Sequence, residues 1–204
     1  MSVDLALVLA VDCSSSVDAG DYQLQMSGIA KALRNPNVLD AIESGENQKI
    51  AFALVQWSTR KSQRIIIKWR QLATQQDLFQ SAREIESAAR QWQIGGTGLA
   101  AAIDFSAALI SKLTVTAARK VIDISGDGEE NEDGDLASSR GAAIANGISI
   151  NGLPILDGSR TIEAYYRYRV IGGPGSFVIP TANSSAFGEA MEQKLLREIG
   201  PQTS

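Results

Sequence analysis

Apolar runs of strand length alternate along this chain with longer segments of helical period, the pattern of crossover units wound around a mainly parallel sheet. The run Leu5-Ala6-Leu7-Val8-Leu9-Ala10-Val11 has no polar position, as a strand buried on both faces requires, and a first strand is expected over residues 4–11. Residues 18–33 follow with Tyr22, Met26, Ile29 and Leu33 on one helical face, and Pro36 interrupts before a shorter helical piece running to residue 42. A second strand is expected over 49–58. The third, over 64–69, comes too soon for a crossover helix, so it must pair antiparallel at a sheet edge, where Lys61, Arg64 and Lys68 oppose further pairing. Helices over 75–92 and 99–113, a strand over 119–125, a helix over 136–146 and a strand over 147–153 continue the alternation. An aromatic-rich helix over 161–169, a short last strand over 176–179 and a closing helix over 184–199 complete it. The prediction is one α/β domain over residues 1–204, with a mostly parallel central sheet of about six strands, one antiparallel edge strand and helices on both faces.

Composition narrows the chemistry more than any single motif. Histidine is absent, which removes the Ser-His-Asp triad, the Cys-His dyad and imidazole-bound zinc or haem. The one cysteine, Cys13, cannot form an internal disulfide and reads as a buried filler at a strand end. With 19 basic against 23 acidic residues, the net charge of -4 offers no general attraction to nucleic acid or anionic lipid. No stretch approaches the roughly 20 apolar residues of a membrane span. Residues 5–13 superficially resemble a lipoprotein signal, but Asp4 stands where a basic flank belongs and Asp12 where a small residue should precede the cysteine, so the segment reads as a core strand.

Asp12-Cys13-Ser14-Ser15-Ser16 places a carboxylate and two hydroxyls at alternate positions where the first strand ends. In isolation this triplet is better explained as a cap for the next helix, since Asp and Ser favour such positions. Two more oxygen donors change the reading. Thr97, in Gly95-Gly96-Thr97-Gly98, enters a helix, and Asp127, in Gly126-Asp127-Gly128, follows the fourth strand. In a parallel sheet both reach the carboxyl rim, where ligands gather at the reversal of strand order. Two carboxylates and three neutral hydroxyls suit a hard dication, Mg²⁺ or Mn²⁺ ahead of Ca²⁺, and the lack of histidine and usable thiolates argues against zinc or copper.

Asp12-x-Ser14-x-Ser16, Gly96-Thr97-Gly98 and Ser125-Gly126-Asp127-Gly128 together resemble the metal-ion-dependent adhesion site (MIDAS) of von Willebrand factor A domains. The segments 55–58, 121–128, 150–155 and 170–178 extend the resemblance over essentially the whole chain, to a bacterial family of such domains of unknown function. The resemblance implies a Rossmann-like sheet and a Mg²⁺ or Mn²⁺ ion held by Asp12, Ser14, Ser16, Thr97 and Asp127, some directly and some through water. It also implies an open coordination position that takes an Asp or Glu carboxylate from a protein partner. Relatives often begin with an export signal, so the expected compartment is cytoplasmic if Met1 is the native start and periplasmic or secreted if such a signal was trimmed.

Other patterns compete less well. Gly96-Thr97-Gly98 fits part of a dinucleotide fingerprint but follows a helix instead of the first strand. The acidic run 129–135 lacks EF-hand spacing and reads as solvated surface, although its charge would both attract a cation and repel an acidic partner. Tyr165, Tyr166 and Tyr168 read first as cover for the sheet. The alternative from another class is a Mg²⁺-dependent hydrolase or phosphatase with Asp12 as nucleophile, yet Ser14 stands where its general acid should be. The expectation is therefore a binding module and not an enzyme.

Overall fold

The structure, a computed structural model, describes residues 2–200; Met1 and residues 201–204, which the expected 1–204 domain also takes in, lie outside the described residues. Five strands form one sheet in the order β3-β2-β1-β4-β5. They are β1 (Ser2–Asp12), β2 (Ile50–Trp57), β3 (Gln63–Leu72), β4 (Thr116–Gly126) and β5 (Ser149–Pro154). All neighbours run parallel except β3, which pairs antiparallel with β2 at the edge, as expected from the short connection. The run that begins the chain is the central strand, and Leu5 to Val11 are buried throughout.

Period-two alternation of β1 divides the core. Leu5, Leu7, Leu9 and Val11 face a cluster built with α1 (Ala19–Leu33), α3 (Gln75–Glu86) and α7 (Phe187–Ile199), while Val8 and Ala10 face one built with α4 (Leu99–Ser111) and α5 (Leu136–Ala145). The short α2 (Pro36–Glu43) has Pro36 in its first turn, where a missing N–H costs nothing, and Asn35 as its cap. Gly28 of α1 lets α7 approach closely, since a Cβ there would meet the backbone of Gly188 at 2.9 Å.

Two expectations need correction. The helix expected to run to residue 92 ends at Glu86, because the following residues bind elsewhere. Gln56 of β2 donates to the Ala89 carbonyl (3.2 Å) and accepts from the Gln91 amide (3.0 Å), and the Arg90 guanidinium donates to the carbonyls of Cys13 and Ser14. Polar side chains that fit a helical surface are instead the stitching that ties this segment to the strand ends. The sheet also has five strands where about six were expected. Residues 176–179 pair with β5 through one isolated bridge, Gly152 to Val178, in a stretch broken by Gly172, Gly173, Pro174, Gly175 and Pro180.

β4 carries a charge into the core. Val121 and Asp123 share the α7 face, and Asp123 meets Lys194 Nζ at 3.0 Å with both side chains buried. Lys194 also contacts Glu198 at 2.7 Å, and the Asn151 amide donates to the same carboxylate at 2.8 Å. Burial, and then the Glu198 charge, push the Asp123 carboxyl well above the ordinary carboxylate range.

Candidate metal centre

The carboxyl ends of β1 and β4 lie side by side, with Val11 opposite Ser125, so the loops that follow start from neighbouring points on the rim. Helix α1 has its own cap in Asp18, whose carboxylate accepts from the Asp21 amide at 2.8 Å. Asp12, Ser14 and Ser16 are thereby free of the capping role that explained them in isolation. Asp12 is fully buried and bends back so that its Oδ1 accepts from the Ser14 amide at 2.7 Å. Ser14 Oγ lies 3.1 Å from Ser16 Oγ, and Ser16 Oγ donates to Asp127 Oδ1 at 2.7 Å. Thr97 is buried against the same loop, and a Cβ at residue 128 would come within 2.8 Å of its hydroxyl. Hydrogen bonds thus link Asp12, Ser14, Ser16 and Asp127, and Thr97 lies against residue 128, next to Asp127; Asp12, Ser14 and Thr97 are buried, Asp127 half-buried and Ser16 exposed.

Electrostatics at the rim is unbalanced. Burial, and then the nearby Asp127 charge, push the Asp12 carboxyl up to about 7. Asp127 is raised as well, chiefly by burial, against the opposing hydrogen bond from Ser16. Asp12 Oδ2 has no hydrogen-bond partner among the described residues. A buried carboxylate oxygen with a free lone pair, beside a second carboxylate and three hydroxyls, fits a hard divalent cation. Glycine at 126 keeps the approach open, since a Cβ there would come within 2.7 Å of Asp12 Oδ2. Cys13 is no competitor, its thiol being buried and pushed up to about 12.

The acidic run expected as solvated surface is a brace. Asn131 Oδ1 accepts from the Thr97 amide at 2.7 Å, and the Asn131 amide donates to the Thr97 carbonyl at 3.0 Å. Gly98 gives α4 no side-chain cap, and Glu130 Oε2 supplies one from the far loop by accepting from the Ala100 amide at 2.7 Å. Glu132 accepts from the Arg60 amide at 3.3 Å. Sequence reasoning missed Glu130 and Asn131 because their partners are backbone amides about 30 residues away. Asn131→Ala is expected to lower stability by about 1–3 kcal/mol in urea denaturation, since it leaves the Thr97 amide unpaired.

Solved structures that share this fold include an adhesin, a matrix protein and a von Willebrand factor type A protein. The pilus adhesin SpaC from Lactobacillus rhamnosus GG aligns with a TM-score of 0.70 at 13% identity, over 97% of this chain and 31% of that one. Proximal thread matrix protein 1 from the mussel byssus, with a zinc-occupied MIDAS motif, gives 0.64 at 17% identity over 97% and 48%. The von Willebrand factor type A protein from Catenulispora acidiphila gives 0.63 at 16% identity over 97% and 43%. The chain thus spans less than half the length of each, and at these identities the likeness establishes the fold alone. No curated protein matches the chain significantly. The sheet order, the antiparallel edge strand and the flanking helices are those of a von Willebrand factor type A domain, and a family model described as protein of unknown function (DUF1194) matches residues 2–203, so the chain belongs to that family.

Proposed function

We propose that Asp12, Ser14, Ser16, Thr97 and Asp127 hold one Mg²⁺ or Mn²⁺ ion, and that this ion serves to bind a protein partner through the partner's Asp or Glu carboxylate. The observation that carries the reading is the buried Asp12 carboxylate, with one oxygen unpartnered among the described residues and a second acid, Asp127, close enough to raise it. Two adjacent carboxylates in a desolvated rim are costly without a cation and favourable with one. The neutral hydroxyls leave the bound ion with residual positive charge, which suits an incoming carboxylate. That neighbours of the same fold include a pilus adhesin and a byssal matrix protein supports a binding role over a catalytic one.

Isothermal titration with Mg²⁺ and Mn²⁺ is expected to show one saturable site that Asp127→Ala abolishes. At 100 times the dissociation constant, bound ion stabilises the fold by about 2.7 kcal/mol, roughly 5–10 °C in Tm for a domain of this size. Unchanged binding in Asp127→Ala would overturn the site. Affinity capture from the native organism should retain a protein with Mg²⁺ and release it with chelator. Hydrolysis of aryl phosphates should stay at background with metal present; turnover lost in Asp12→Ala would make the protein an enzyme.

A further inference from the structure

Tyr166 is a buried side chain with a polar group that nothing above uses. Its ring is fully buried on the α4 and α5 side of the sheet, yet its hydroxyl has no hydrogen-bond partner among the described residues. A buried unpaired hydroxyl costs about 1–3 kcal/mol, so its retention in a tightly packed place calls for a reason. Phenylalanine would fill the same space at no such cost.

The position of that hydroxyl supplies the reason. A Cβ at residue 126 would lie 2.7 Å from Asp12 Oδ2 and 2.8 Å from Tyr166 Oη, so the two unpartnered oxygens border the same small space beside β4. Two glycines clear the way. Gly126 leaves the gap between the oxygens open, and Gly152 of β5 makes room for the ring, since a Cβ there would meet Tyr166 Cδ1 at 2.8 Å. The backbone is shaped to the same end. Helix α6 (Ile162–Tyr165) gives way at Tyr166 to a π-helical turn, Tyr166–Val170, closed by the Ile171 amide on the Tyr166 carbonyl at 3.0 Å. Such a turn inserts a residue into the helix and re-aims the side chains around it.

We infer that Tyr166 is a positioning residue for the metal centre: once the ion is bound, its hydroxyl donates to Asp12 Oδ2, directly or through one water, and holds the carboxylate in the orientation that meets the ion. Asp12 Oδ1 is already fixed by the Ser14 amide, so a donor on Oδ2 removes the remaining freedom of the carboxylate plane. A carboxylate offers about four lone-pair sites, enough for this donor and the cation together. The inference rests on the proposed metal reading.

Tyr166→Phe keeps the ring and removes only the hydroxyl. Groups that orient a metal ligand are worth about 10–100-fold in affinity, so Mg²⁺ and Mn²⁺ titrations should show binding at least roughly tenfold weaker. In chelator, the Tm of the variant should equal or exceed that of the parent, because an unpaired buried hydroxyl has gone. A merely structural tyrosine gives the opposite split, with a lower metal-free Tm and parental affinity, and that result overturns the inference. Asp12→Ala runs alongside. If it abolishes binding while Tyr166→Phe matches the parent, the role of Tyr166 fails alone. If the parent binds neither ion, the metal reading fails and takes this inference with it.

Discussion

Asp12→Asn is expected to abolish Mg²⁺ binding and, in chelator at pH 8, to make the protein more stable than its parent by about 2–4 kcal/mol. Burial and Asp127 raise the Asp12 carboxyl from 3.8 to about 7. Each unit of that shift is about 1.4 kcal/mol, so the ionised side chain opposes folding by roughly 4 kcal/mol before the weaker hydrogen bond of the amide to Ser14 is subtracted. The sign follows from proton binding. Below about pH 4 the group is protonated in both states and contributes nothing; between about 4 and 7 the folded state holds a proton the unfolded chain has lost, and stability falls as pH rises. Above about 7 the loss is complete. The gap between variant and parent should therefore open across this window, reaching about 5–15 °C in Tm at pH 8. Metal affinity runs the other way in the parent: the ion competes with the proton, so binding weakens up to tenfold per unit below pH 7 and releases a proton. An asparagine variant less stable than its parent at pH 8 would show that Asp12 is not held at such a cost.

Lys194→Met is expected to lower stability by about 3–5 kcal/mol near neutral pH, the usual result of stripping the partner from a buried charge. Lys194 is the cation shared by Asp123 and Glu198 inside the core, at 3.0 and 2.7 Å. Methionine fills similar space, so the loss reports charge more than volume. Asp123 is already raised by burial and by Glu198, and removing the ammonium raises it further. The parent's folded state already holds a proton on Asp123 up to about pH 8, so the variant's deficit should be smaller at pH 7 than at pH 9, where only the parent can release it freely. Urea denaturation at both pH values checks this. A small deficit, equal at both, would mean that the cluster is neutralised in another way.

Most of the sheet was legible because strands buried on both faces have no polar positions to confuse the reading, and β1 is the clearest case. The proposed ligand set was legible for a related reason: strand ends order the rim, so three short motifs far apart in sequence had one place to meet. What escaped were the polar groups away from the rim whose partners are distant. Asp123 sits between Ile122 and Ile124 in the buried half of β4, which signals a buried charge but not that Lys194 on α7 answers it; Lys194 itself looks like any lysine on an amphipathic helix. Residues 87–92 keep enough polar character to pass for the end of α3, and only the strand-end carbonyls and Gln56 explain why they leave it. Tyr166 was legible as cover for the sheet, but the π-turn that sets its hydroxyl near Asp12 has no sequence signature.

The brace formed by Glu130, Asn131 and Glu132 bears on how fast the proposed partner would arrive. A run of acids beside the proposed acceptor for carboxylates suggests an electrostatic barrier to encounter. Yet Glu130 and Glu132 turn inward onto the amides of Ala100 and Arg60, and Glu130 lies at the positive end of α4. Their charge is set partly against the helix and is felt less strongly outside than the formal count implies. Repulsion between exposed groups fades beyond about 8 Å at physiological salt, so the approach of an acidic ligand should be limited by orientation at the rim more than by long-range field, with association rates that change little with ionic strength.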